Sequence, residues 1–201
     1  MVMMQGELDP AGLDHDGGGV RAALVVTLVT ALVFGLLYPV LSVAISGLLF
    51  PLQASGSPVS VDGKVVGSSL IAQPFADARY FSPRPSAAGY NPTAASGSNL
   101  GPSNPALAER IAGDAAKIAE REGVAIGTIP LDLVTASGGG LDPHISVAGA
   151  QVQAARVFRA RGVSEATVRA AIDAHTEAPS FGVFGQARVN VLLLNLALDK
   201  G

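Results

Sequence analysis

Most of the side chains able to do chemistry sit in two glycine-rich loops. The first, residues 133–146, contains Ser137, Asp142 and His144, with Asp132 just before it. A serine nucleophile, a histidine base and an orienting carboxylate would make an acyl-transfer set. Ser137 is not in a G-x-S-x-G elbow, so the favoured reading is that Asp142 and His144 satisfy backbone groups in a tight turn. Ser137, Gly138, Gly139 and Gly140 could also form a backbone nest for a nucleotide or another anion. The second loop, GSNLGPSN, is similarly rich in Gly and Ser. Neither loop has the G-x-x-x-x-G-K-[ST] pattern of a phosphate loop. Arg84 in SPRPS and Arg188 in ARVN are single cations, read as crosslinkers of loops. The three His are His15, His144 and His175, and cysteine is absent. None of this has the spacing of a zinc pair, so no metal site is expected. With no thiols, cysteine usage does not identify a compartment.

These loops need a scaffold, and the scaffold begins with a long apolar stretch. Ala22 to Leu52 carries no charged residue. A bilayer core needs roughly 20 apolar residues in helical form, and a cleaved signal core is only about 7 to 15 long. The stretch therefore reads as a retained transmembrane helix over residues 21–52. Thr27, Ala31, Gly35, Pro39, Val43 and Gly47 fall on one face. Small residues on one face let helices approach closely in lipid, so Gly35 and Pro39 are candidate partner contacts. Pro39 should also bend the helix. Residues 1–20, acidic and Gly-rich, read as a disordered tail.

Charge excludes some functions and suggests an orientation. Four of the sixteen acids and one of the thirteen bases precede the domain beyond the helix, which keeps twelve of each. A neutral domain has no footprint for nucleic acid and no polybasic cluster for anionic lipid. Arg21 abuts the first end of the helix, and the next basic residue is Lys64. By the positive-inside rule the N-terminus is cytoplasmic and residues 53–201 lie outside.

That domain has mixed patterning. Val59 to Val66 reads as a hairpin around Asp62-Gly63, and Leu70 to Phe75 as strand or extended chain. Residues 77–105 are dominated by Pro, Gly, Ser and Asn, too long for an ordinary connection. Tyr80, Phe81 and Tyr90 within them argue for order, and with Arg84 they are types that anchor interfaces. Asn104 caps a helix with Pro105 at its first position, ending at Gly123. Val124 to Leu133 reads as two short extended pieces around Pro130. Ser146 caps a helix to Arg161, and Ser164 caps another to about His175. Asn190 caps a last helix to Asp199, preferred over a buried strand. The fold class is α+β: one N-terminal transmembrane helix, then one extracytoplasmic domain rich in ordered loops.

Four segments, in order after the apolar helix, carry a resemblance: YFSPRPSAAGYN, SGSNLGPSNP, DLVTASGGGLDPHIS and RVNVLLLNLALD. The chain resembles the C subunit of the Kdp potassium-transporting ATPase from about Leu24 to Asp199. The resemblance implies a subunit, not itself the hydrolase, of an ATP-driven potassium uptake complex in the cell membrane. Its implied partners are a channel-like potassium-translocating subunit and a P-type subunit that hydrolyses ATP. ATP is implied as the complex's substrate, bound mainly by the P-type subunit, with the C subunit raising its ATP affinity as a catalytic chaperone and supporting assembly. Residues 80–104 and 134–144 are expected to dock together on the channel-like subunit. The alternatives are a membrane-anchored extracytoplasmic hydrolase and a free-standing binding module.

Overall fold

The apolar stretch is helical for nearly its whole length. The computed structural model describes residues 17–200. Helix α1 (Gly17–Leu32) passes through a widened turn, Val33–Leu37, into α2 (Tyr38–Leu49). Gly19–Leu49 is thus one helix of 31 residues, with mean hydropathy 2.4, long and apolar enough to cross a membrane. The expected disturbance at Pro39 takes the form of that widened turn. The Tyr38 amide reaches back to the Val33 carbonyl, one residue further than in an α-helix. Pro39 has no N–H, and its ring would collide with the Gly35 carbonyl one turn earlier. Widening the preceding turn relieves that collision without breaking the helix.

The helix limits differ from those expected. It starts at Gly17 and stops at Leu49, where Phe50 leaves helical geometry and Pro51 starts a single turn, α3 (Pro51–Ala54). Of the tail read as disordered, residues 17–20 are therefore helical, and residues 1–16, with His15, lie outside the described residues. The chain divides into two compact units, Met1–Ser55 and Gly56–Gly201.

The second unit opens with a hairpin, β1 (Pro58–Val61) and β2 (Lys64–Ser68), in which Val61 pairs with Lys64. Asp62 and Gly63 both have positive φ, 50° and 76°, the geometry of the two-residue turn that matches strand twist. After the long loop comes α4 (Pro105–Glu122), capped by the Asn104 side chain and stopped at Gly123. Its apolar row sinks inward: Leu107 and Ile111 are half-buried, Ala115 and Ile118 buried. A one-turn helix, α5 (Leu131–Val134), leads to β3 (His144–Ser146). Ser146 accepts the Gly149 amide and starts α6 (Val147–Arg161). Ser164 starts α7 (Glu165–Ala174) in the same way, through the Thr167 amide. Two short strands, β4 (Thr176–Glu177) and β5 (Arg188–Asn190), precede α8 (Val191–Lys200). The three-stranded sheet is antiparallel, in the order β3-β5-β4. The core joins it to the helices through Ile145, Val157, Val168, Ile172, Val189 and Leu194, with Phe81 from the long loop.

Two expectations need correction, and a third, strand or extended chain over Leu70 to Phe75, is narrowed to chain outside any strand. Val124 to Leu133 holds a 3-10 turn and α5 instead of two extended pieces. Pro130, at φ −62° and ψ 143°, is the residue before α5, a position where its missing N–H costs nothing. Leu70 to Phe75 joins no strand; its Ala72 amide donates to the Leu141 carbonyl. Strands β3, β4 and β5 fell where loops and helix ends were expected, because two or three residues are too few to show a period. The last helix does form, with the Asn190 side chain accepting the Leu193 amide.

Candidate docking face

The structure shows what fixes the long loop. Phe81 is fully buried, and Asn195 of α8 clamps its backbone from both sides. The Phe81 amide donates to Asn195 Oδ1 at 2.8 Å, and Asn195 Nδ2 donates to the Phe81 carbonyl at 3.0 Å. Gln153 of α6 repeats the pattern on Ser82, at 2.8 and 3.1 Å. Buried backbone groups must be paired, and here two amide side chains stand in for a missing strand. Arg156 Nη1 donates to the Ala78 and Tyr80 carbonyls, while its Nε faces Glu122 at 3.0 Å. Glu122 is itself buried, and it accepts a further bond from Arg121. Arg161 adds the Arg79 and Leu198 carbonyls and the Asp199 carboxylate.

Tyr80 lies half-buried in this frame. Its hydroxyl donates to Asp199 at 3.2 Å, and the Arg161 guanidinium stands 5.2 Å from its ring centre. Phe81, read as a partner contact, has no surface to offer one, because it fills the core and holds the loop from within. Tyr90 is half-buried too; its hydroxyl donates to the Arg84 carbonyl at 2.9 Å, and burial pushes its phenol pKa up.

The two glycine-rich loops do meet. Arg84 Nη1 donates to Asp142 Oδ2 at 3.0 Å, and its Nη2 approaches Thr135. The Ser137 amide donates to the Pro85 carbonyl, and the Ser86 hydroxyl to the Gly140 carbonyl at 2.6 Å. Gly140 has φ +72°, and a Cβ there would lie 2.8 Å from the Ala88 Cβ and 2.9 Å from the Ser96 carbonyl. Only glycine allows so close an approach. Gly97 similarly packs on the Gly138 carbonyl. Within residues 133–146 Gly138 and Gly139 are exposed, and the Gly140 amide closes a turn onto the Ser137 carbonyl.

The imagined nucleophile set is not assembled. Asp142 does face His144, at 3.5 Å from Nδ1, but the other ring nitrogen faces Glu177 at 3.6 Å. Among the described residues Ser137 makes no hydrogen bond with His144, and Asp132 instead receives the amide and hydroxyl of Ser146. Burial opposes ionisation of Asp142. Hydrogen bonds from the His144 side chain and amide and from Arg84, with the Arg84 charge, outweigh it and hold the carboxyl below its usual range. Arg188 pairs with Glu177 at 2.9 Å, so both single arginines crosslink elements as read.

Sequence reasoning missed Gln153, Arg156 and Asn195, the residues that hold the loop. The available signal was an amide inside an apolar run, as in LLLNLAL, which calls for buried hydrogen-bond partners.

Among the described residues one helix is long and apolar enough to cross a membrane, and the α+β unit after it uses polar side chains to fix long loops, a form consistent with a membrane-anchored subunit. The family model described as "K+-transporting ATPase, c chain" matches residues 20–200. A potassium-transporting ATPase KdpC subunit from Xanthomonas oryzae pv. oryzae is 57% identical over 186 residues, covering 92% of this chain and 89% of the relative. One from Sorangium cellulosum is 56% identical over 184 residues, covering 89% and 96%. One from Methylococcus capsulatus is 51% identical over 182 residues, covering 89% and 96%. The chain belongs to the KdpC family, the C subunit of the Kdp potassium-transporting ATPase.

Proposed function

We propose that the unit beyond Gly56 lies outside the cell membrane and docks on the channel-like subunit of the complex through residues 80–104 and 134–144. The observation that carries this reading is the pairing of fixed loop roots with an open crest. The roots are held by Asn195, Gln153, Arg84 and Ser86, while most of Asn91–Asn104 is exposed. Loops held rigidly on a scaffold are suited to recognition. Tyr80, Arg84 and Tyr90 then shape the face, Gly138 and Gly139 contribute backbone to it, and Gly35 and Pro39 pack against a partner helix in the membrane. A domain outside the membrane cannot reach cytosolic ATP. The chaperone effect on ATP affinity therefore acts through the assembled P-type subunit, which binds the nucleotide, and this chain performs no hydrolysis itself.

Two measurements test the proposal. The chain has no cysteine, so Lys64→Cys, at an exposed hairpin position outside the docking loops, gives one thiol. An impermeant maleimide should label it in intact spheroplasts; labelling only after lysis would reverse the orientation. Ala87→Arg places a large charge at an exposed position of the first docking loop and should lower co-recovery of the channel-like subunit about tenfold or more, the scale of an interface hot spot. Full recovery with Ala87→Arg would remove these loops from the interface.

A further inference from the structure

The connection between β4 and β5 presents an apolar tip with no cover. Phe181, Val183 and Phe184 are 94%, 77% and 68% exposed. Their turn is not slack. The Ser180 amide donates to the Phe184 carbonyl at 2.8 Å, the Phe184 amide returns to Ser180 at 2.9 Å, and the Gly182 amide closes on Pro179 at 2.9 Å. Phe181 sits at φ +54°, a conformation that side-chain-bearing residues rarely hold. The backbone is thus locked in a form that displays its aromatic residues.

From this tip we infer a docking plug: Phe181-Gly182-Val183-Phe184 inserts into an uncharged apolar pocket on another subunit of the same membrane complex. This rests on membership of the KdpC family and deepens the assembly role. Two features select the occupant. Ala178 to Ala187 contains no charged residue, and the flanking Glu177 and Arg188 are paired with each other at 2.9 Å. The pocket it fits is therefore apolar and needs no countercharge. Amphipathic segments held on a bilayer surface carry Lys or Arg for the headgroups, and this segment has none. The second feature is area. Three side chains offer on the order of 400 Å², about half of the roughly 800 Å² that each partner buries in a standard interface. The tip cannot hold a second copy of this chain or a free partner alone. It suits a subunit already brought alongside by other contacts, where a preformed anchor adds affinity at little ordering cost.

The test uses the full chain co-expressed with the other subunits. Phe181→Ser/Phe184→Ser alters only exposed side chains, so thermal unfolding of the purified chain should match wild type. Co-recovery of the other subunits should fall about tenfold or more, and Phe181→Leu/Phe184→Leu should restore it. Wild-type recovery with the serine pair overturns the inference, and so does a loss that the leucine pair fails to rescue. Val183→Cys carrying a bimane label reports the occupant. Its emission should shift to the blue only when the labelled chain joins the complex. A blue shift in lipid nanodiscs holding this chain alone would make the bilayer the occupant and overturn the inference. No shift in either setting would leave the tip in water and overturn it as well. Failure of the assembly role itself would show separately, as absence of the other subunits beside the wild-type chain.

Discussion

The double clamp of Asn195 on Phe81 gives the sharpest prediction. Asn195→Leu keeps the branched outline of the side chain, with bulkier methyl ends, but removes one acceptor and one donor. The Phe81 amide and carbonyl, bonded at 2.8 and 3.0 Å, lie beside a fully buried side chain and so lose partners that water cannot easily replace. Each orphaned buried group costs about 1–3 kcal/mol. Local relaxation recovers part of this, so the net loss is about 3 kcal/mol. Domains are stable by about 5–15 kcal/mol, so the variant still folds. For a chain of this size each kcal/mol moves Tm by about 2–4 °C, giving a fall of about 6–12 °C. The assay is thermal unfolding of the full chain in detergent by far-ultraviolet circular dichroism, with timed proteolysis of residues 77–82 alongside. Gln153→Leu should do the same through Ser82. The double variant should lose less than the sum, since both clamps hold adjacent residues. Unfolding of Asn195→Leu within about 2 °C of wild type, with unchanged proteolysis, would refute the idea that these amides hold the loop.

Two other outcomes are expected. The Asp142 carboxyl is held below its ordinary value of 3.8, so it stabilises the fold above the pKa of the unfolded chain and loses that contribution as pH falls through the lower folded value. Asp142→Asn should therefore be less stable than wild type at pH 6, with the gap narrowing as pH falls below about 4 in parallel melting curves; a gap that stays constant as the pH falls would deny the linkage. A Cβ at Gly35 meets nothing within 4 Å, so Gly35→Leu should leave the helix of this chain intact. It should still weaken assembly by on the order of 1 kcal/mol through the filled small-residue face, and wild-type co-purification would count against that face.

The sequence by itself determined the features that local chemistry controls. Length and the lack of charge marked the helix long enough to cross a membrane. Asn104, Ser146, Ser164 and Asn190 marked helix starts through their own side-chain bonds, and Asp62-Gly63 marked the hairpin through its positive φ. The placement of the two glycine-rich loops side by side came only with the tertiary structure, because Arg84 and Asp142 lie 58 positions apart and no periodicity links them. The same holds for strands β3, β4 and β5, each too short to show alternation and defined only by its partner. Tyr80, Phe81 and Tyr90 looked alike as aromatic residues in a loop. Their fates, half-buried against Asp199, fully buried under Asn195 and hydrogen-bonded to Arg84, were decided by which helix face closed over each one. That is a matter of packing between distant segments, and the physical reason is that burial belongs to the assembled core and not to any single stretch of chain.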